Sequence, residues 1–158
     1  MNPTGGLISN ARDQLRYARF HLGDGRAPDG TPLLTPASLA AMRSQPGPGG
    51  TLAFEMDGVG VTWFLRRTAE GIHVIEHGGD WPGQHSSFMF VPERDFVLTV
   101  LTNSESGPRL ISQLFEDDWA LQQFAGLRNP PRCPRASRPR GWRSTRGSMC
   151  SRWRMRRR

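Results

Sequence analysis

The strongest constraint on the fold of this chain is a period-two pattern of apolar residues that starts at Val59. Val59, Val61, Trp63 and Leu65 would share one face of a strand, which is typical of a half-buried β-structure. A second strand is predicted over residues 72–77 after a short turn, and two more flank the polar connection at residues 92–95. The pattern therefore predicts four consecutive antiparallel strands.

Helix signals lie on both sides of these strands. Ser9 or Asn10 can cap a helix whose apolar positions recur from Ala11 to Leu22, and Thr35-Pro36 opens a second, shorter helix. Leucines and a phenylalanine recur at helical spacing from position 108 until Gly126, which predicts a last helix. The predicted fold class is α+β, an antiparallel sheet packed with helices.

The stretch from residue 72 to residue 103 carries the clearest functional signal. It predicts an edge strand that runs into a corner at His77-Gly78-Gly79 and is followed by a tight hairpin. Glycine removes the side chain that would keep a ligand from the backbone, so bare N–H groups can approach it there. This geometry is useful in acyl transfer, where such groups can stabilise developing negative charge.

Charge divides the chain into two predicted parts. Residues 1–126 hold nine arginines and fourteen acidic residues, a net charge of −5, whereas residues 127–158 hold twelve arginines and no acidic residue. We predict one partial domain over residues 1–126 and a disordered, arginine-rich and proline-rich tail over residues 127–158. The composition of the tail favours a frameshifted or otherwise non-native end, and contact with nucleic acid is the alternative.

Other site classes and segments receive little support from the sequence. Cys133 and Cys150 have neither metal-knuckle nor redox spacing, and His73 and His77 would lie about 13 Å apart on one strand, too far to share an ion. His85 completes no metal site, and His21 is expected at the surface or boundary of the first helix. No signal peptide or membrane span is recognisable, so a cytoplasmic location is the default expectation.

Four ordered blocks carry a resemblance to a known family. Residues 3–126 resemble the C-terminal portion of the serine β-lactamase-like hydrolases, which include class C β-lactamases, D-alanyl-D-alanine carboxypeptidases and related esterases. The blocks are Pro3-Thr4-Gly5-Gly6-Leu7-Ile8-Ser9, Leu34-Thr35-Pro36, Gly60-Val61-Thr62-Trp63, and His77-Gly78-Gly79 with Pro82-Gly83, Ser86-Ser87 and Leu101-Thr102-Asn103.

The resemblance implies a role for each residue of the corner. His77 would be the catalytic residue of this segment, orienting or polarising an acyl substrate, and the backbone N–H of Asp80 would donate to the oxyanion. Gly78, Gly79, Asp80 and Trp81 would form the substrate-binding surface, although Trp81 could equally anchor the turn by packing. The resemblance implies neither a metal nor a cofactor.

The nucleophile of that family is missing from the sequence. The chain has no lysine, so it cannot contain the Ser-x-x-Lys motif, and its one tyrosine, Tyr17, does not begin the second motif. We therefore expect a C-terminal fragment that is inactive alone, because removing a nucleophile and its base leaves only weak catalysis. A separately encoded N-terminal half could supply the serine. The alternative is a non-catalytic binding module whose basic tail contacts nucleic acid or an acidic surface.

Overall fold

The structure, a computed structural model, describes residues 5–44, 47, 50–51, 55–115 and 119–130. Its helices are α1 (Ala11–Leu22), α2 (Pro36–Met42) and α3 (Gly107–Phe115), with a 3₁₀ turn at Pro92–Arg94 and a π-helical turn at Leu121–Ala125. The strands are β1 (Gly50–Thr51), β2 (Glu55–Met56), β3 (Gly58–Val59), β4 (Phe64–Arg67), β5 (His73–Trp81), β6 (Gln84–Val91) and β7 (Phe96–Thr102). This arrangement confirms the predicted α+β class.

Local capping sets the start of the first two helices, as predicted. The side chain of Asn10 accepts a hydrogen bond from the Asp13 backbone N–H at the start of α1. Thr35 does the same for Ser38 at the start of α2, where Pro36 occupies the first turn. In both cases a side-chain oxygen satisfies a backbone donor that the helix itself leaves free.

The main sheet has five antiparallel strands in the order β3-β4-β5-β6-β7. Strand β5, which carries His77, therefore lies in the middle of the sheet, and the prediction that it is an edge strand was wrong. Its neighbours are β4, reached through the predicted turn after Thr68, and β6, reached through a two-residue turn at Pro82-Gly83. Local sequence determines the two turns, but the central position of β5 in the sheet depends on its pairing with both β4 and β6.

The predicted strand over residues 59–65 is broken in two. Gly60 donates a backbone hydrogen bond to Trp63 O, and Thr62 adopts a left-handed conformation with φ of 69°. A Cβ on Gly60 would meet the Met42 carbonyl oxygen, so α2 packs where a continuous strand would need space. The alternating sequence pattern thus spans a turn that separates β3 from β4.

Each face of the sheet has its own core. On one face, α1 packs against a cluster of Ala18, Trp63, Leu65, Ile75, Phe88 and Phe90. On the other face, α3 and the C-terminal turn cover a cluster of Val74, Met89, Val91, Phe115, Leu121, Ala125 and Leu127. The second face also holds a buried ion pair, in which Arg66 Nε lies 3.0 Å from Glu76 Oε1. Trp63 and Leu65, which the sequence pattern places on one face, are both buried.

The C-terminal helical region is less regular than predicted. Helix α3 is described as far as Phe115, and residues 119–120 are helical and lead into the π-helical turn, which Gly126 closes with a left-handed φ of 65°. The acidic triplet at residues 116–118 and the tail beyond Pro130 lie outside the described residues. Leu127 is fully buried and Arg128 pairs with Glu70, so the packed chain extends past Gly126. The division of the chain at residue 127 stays a prediction.

Helices within the described ranges are too short or too polar to cross a lipid bilayer.

Candidate functional site

The His77-Gly78-Gly79 segment continues β5 and forms no corner. All three residues pair with β6, opposite Phe88, Ser87 and Ser86 respectively, and the chain turns only at Pro82-Gly83. Gly83 has a φ of 72°, the conformation that a proline-glycine turn of this type requires. The predicted functional residues therefore lie along the last five residues of a regular strand.

This part of β5 has one free edge among the described residues. The pairing with β4 ends where Phe64 meets Glu76, so on that side no described strand lies beside residues 77–81. The other side of the same segment pairs with β6 up to the turn. The strand that carries His77 is central at its start and becomes an exposed edge at its end.

The alternation of an antiparallel ladder determines which backbone groups face that edge. The Thr68 N–H donates to Ile72 O at 2.9 Å, and every second residue after Ile72 continues to direct its backbone groups toward the β4 side. The backbone N–H and C=O groups of Gly78 and Asp80 therefore point to the free edge. The Asp80 N–H has to point this way in order to donate to an oxyanion, as predicted.

The two glycines are needed for packing as well as for access. A Cβ on Gly78 would lie 2.9 Å from Ser86 O, and one on Gly79 would lie 2.9 Å from Ser86 Oγ. Real Cβ atoms do not approach other atoms so closely, so a larger residue at position 78 would push β5 away from the β6 backbone, whereas one at position 79 would require the Ser86 hydroxyl to rotate away. Sequence reasoning assigned the glycines to ligand approach alone, although counting back from the Pro82-Gly83 turn places Ser86 opposite Gly79.

His77 is exposed, and its ring stacks on Phe64. The two ring centroids are 5.1 Å apart and the planes differ by 5°. This stacking orients the imidazole while leaving it accessible at the end of β4. Sequence reasoning missed Phe64, because the contact depends on the register between β4 and β5.

Asp80 and His85 form a polar pair across the hairpin. Asp80 Oδ1 lies 2.7 Å from His85 Nδ1, and the His85 side chain is largely buried whereas the Asp80 side chain is exposed. His85 Nε2 is buried, with Glu105 Oε2 at 3.9 Å. The pair fixes the end of the strand that carries the site.

Trp81 lies next to the turn with 70% of its surface exposed. An indole that anchored the turn by packing would be largely buried, so this exposure favours the interpretation of Trp81 as part of a binding surface. The five predicted residues thus lie on one strand, with accessible rings at positions 77 and 81 and outward backbone groups at positions 78 and 80. Their functional roles stay predictions.

No group of three histidine, cysteine, aspartate or glutamate side chains is placed to hold a metal ion within the part of the chain that the structure describes. The exposed strand end presents backbone groups that have no strand partner on the β4 side among the described residues.

Comparison with known proteins assigns this α+β domain to a class. The family model described as Beta-lactamase matches residues 1–120, and the chain belongs to this family. The chain is 38% identical over 129 residues to "Penicillin-binding protein 4" of Amycolatopsis lactamdurans. That alignment covers 81% of this chain and 33% of the relative, so the chain spans about a third of the length of the relative it matches.

Proposed function

We propose that this chain supplies the substrate-binding wall of a serine hydrolase of the β-lactamase family. The observation that carries the proposal is the free edge of β5, where the Gly78 and Asp80 backbone groups face outward beside His77. An acyl substrate would pair with this edge, as an added strand pairs with a sheet. The fold alone does not define the substrate class. We propose an acyl compound of one of three kinds: a β-lactam, a D-Ala-D-Ala peptide or an ester.

Each site residue has a role in this proposal. His77, held by Phe64, orients or polarises the acyl group, and the Asp80 N–H donates to the oxyanion as negative charge develops there. Gly78 keeps β5 close to the Ser86 carbonyl, and Gly79 leaves room for the Ser86 hydroxyl. Trp81 flanks the bound substrate. No step depends on a metal or cofactor.

The proposal includes inactivity of these residues by themselves. With no lysine among the 158 residues there is no Ser-x-x-Lys motif, so the serine and its base have to come from another segment of a longer protein or from a separately encoded half. The chain alone should therefore leave a chromogenic β-lactam and a short-chain ester unhydrolysed. Turnover by the purified chain would contradict this part of the proposal.

Binding can be tested without turnover. We expect a β-lactam added to the ¹⁵N-labelled chain to shift the amide signals of residues 77–81 and the indole signal of Trp81. Asp80→Pro removes the outward N–H and should abolish these shifts, whereas Asp80→Ala keeps the N–H and should retain them. Equal binding by both variants would contradict the role of the Asp80 N–H, since the two share the loss of the carboxylate.

A further inference from the structure

His21 occupies an unusual position for a histidine. It lies in the last turn of α1 and is fully buried, which overturns the expectation of a surface or boundary residue. Neither ring nitrogen has a hydrogen-bond partner within the described structure. The neighbouring rings lie with their centroids 4.6 to 5.5 Å from the imidazole, and they belong to Tyr17, Phe20, Trp63 and Phe90.

The ring faces attract a cation, but more weakly than the water that a charged imidazole would lose, so this cage disfavours the charged form of His21. An imidazolium needs hydrogen-bond acceptors or a nearby carboxylate, and the aromatic walls provide neither. Burial, followed by the nearby Arg43 cation, lowers the pKa of His21 from 6.5 to about 4. His21 is therefore neutral while α1 is packed on the sheet.

The titratable groups around the cage do not offset this effect. Tyr17, on the same helix, has a phenol pKa raised by burial and is uncharged near neutral pH. Arg43 follows α2, and burial lowers the pKa of its guanidinium, while the Glu93 carboxylate of the 3₁₀ turn partly opposes that shift. Strand β7 contains no titratable residue, and Arg66 of β4 pairs with Glu76 on the opposite face of the sheet. From β6, the ring of Phe90 faces His21.

We propose that protonation of the His21 imidazole at acid pH detaches α1 from the sheet while the sheet itself stays folded. The two separate cores make a local release possible. Of the two buried clusters, the one beneath α1 includes Ala18, whereas the one beneath α3 contains no residue of α1. Loss of α1 therefore exposes one face and leaves the other packed.

The release would affect the neighbourhood of the candidate site. Phe88 pairs with His77 in the β5–β6 register, and its ring lies 6.4 Å from that of Tyr17 and 5.9 Å from that of Trp63. Detachment of α1 would remove Tyr17 from this contact and uncover the sheet beside His77. The proposal concerns packing and does not depend on the proposed function.

The direction of the pH dependence follows from the lowered pKa. The detached form takes up a proton as the pH falls below about 6.5, whereas the packed form does so only near pH 4. Packing of α1 therefore weakens progressively between pH 6.5 and pH 4 and is insensitive to His21 above pH 7. At pH 4.5 the equilibrium constant for packing should be about 70-fold lower than at pH 7.5.

NMR spectroscopy of the full chain between pH 7.5 and pH 4 tests the proposal. We expect the helical chemical shifts of residues 11–22 to be lost at a higher pH than the strand shifts of β5, β6 and β7. His21→Phe keeps an aromatic ring without a titrating group, so its α1 signals should persist to pH 4. The matched control His77→Gln removes an exposed histidine and should leave the wild-type transition unchanged.

A second variant keeps the test decisive if His21→Phe does not fold. Arg43→Gln removes the cation that opposes protonation of packed His21, so α1 should detach at a lower pH than in the wild type. Three results would overturn the proposal: α1 signals that persist to pH 4 in the wild type, simultaneous loss of helix and strand signals, or an unchanged transition in His21→Phe and in Arg43→Gln.

Discussion

The carboxylate of Asp80 holds the imidazole of His85 at 2.7 Å across the β5–β6 hairpin. The other side of that ring lies against Gly107, the first residue of α3, where a Cβ would be 3.1 Å from His85 Cδ2. His85 therefore connects the last residues of the site strand to the start of a helix. Through this contact, changes at α3 can alter the position of the outward Asp80 N–H.

Gly107→Ala should test the tightness of that connection. Alanine normally stabilises a helix relative to glycine, but here its Cβ would collide with Thr102 and crowd His85. We expect a loss of about 1–3 kcal/mol in the free energy of unfolding, measured by urea denaturation. The same change in a Thr102→Ala background, which removes the colliding hydroxyl, should cost less. A stabilising effect of Gly107→Ala would contradict the packing described.

Glu76→Gln should be the most damaging conservative change in the sheet. It leaves the Arg66 guanidinium buried without its carboxylate, and breaking a buried pair in this way costs about 3–5 kcal/mol. The exposed pair of Arg26 and Asp24 provides the control, since Asp24→Asn should cost no more than about 1 kcal/mol. Thermal denaturation of both variants compares the two pairs. Equal losses would show that burial does not govern these interactions.

Glu70 should contribute to stability in a defined acid range. The Arg128 backbone N–H, 3.0 Å from Glu70 Oε2, and then the Arg128 guanidinium lower the pKa of Glu70 from 4.5 to about 2. Because the pKa is depressed in the folded state, the contribution is complete above about pH 4.5 and is lost as the pH falls toward 2. Glu70→Gln lacks this dependence, so the stability difference between the variant and the wild type should shrink between pH 4.5 and pH 2. A constant difference would contradict the assignment.

Two truncations should separate the packed chain from the basic tail. A chain ending at Gly126 loses Leu127, which is fully buried, and we expect it to be less stable by about 2–5 kcal/mol. A chain that ends at Pro130 keeps Leu127, the Arg128–Glu70 pair and the hydrogen bond from Asn129 to Phe115 O, and should melt like the full chain. Equal melting of the two truncated chains would contradict this packing.

The same truncated chains distinguish the two function classes. We expect removal of the tail to leave DNA binding unchanged. A salt-sensitive affinity present in the full chain and absent from the chain ending at Pro130 would instead support a binding module with a basic tail.

Features governed by local chemistry could be predicted from the sequence. The caps at Asn10 and Thr35 and the turn after Thr68 depend on residues that are neighbours along the chain. The glycine pair at positions 78 and 79 could also be read from the sequence, together with the strand that the family resemblance implies for it.

Features that depend on distant pairing could not be predicted in the same way. The central position of β5 requires knowledge of both neighbours, and the turn at Gly60 forms because α2 packs there. His21 was predicted at the surface or boundary of α1 because histidine is polar, and this prediction gave too little weight to its position in the helix. It follows Tyr17 by one helical turn and Ala18 by three residues, which places it beside the buried stripe of α1.

The free edge of β5 also sets a length scale for ligands. Its outward backbone groups at Gly78 and Asp80 are two residues apart, about 7 Å along a strand. An extended peptide can reach both positions with alternate residues, whereas a molecule with a single acyl group can occupy one of them. If ligands pair with this edge as proposed, a peptide long enough to span both positions would bind more tightly than a ligand with one acyl group, independently of the chemistry that follows binding.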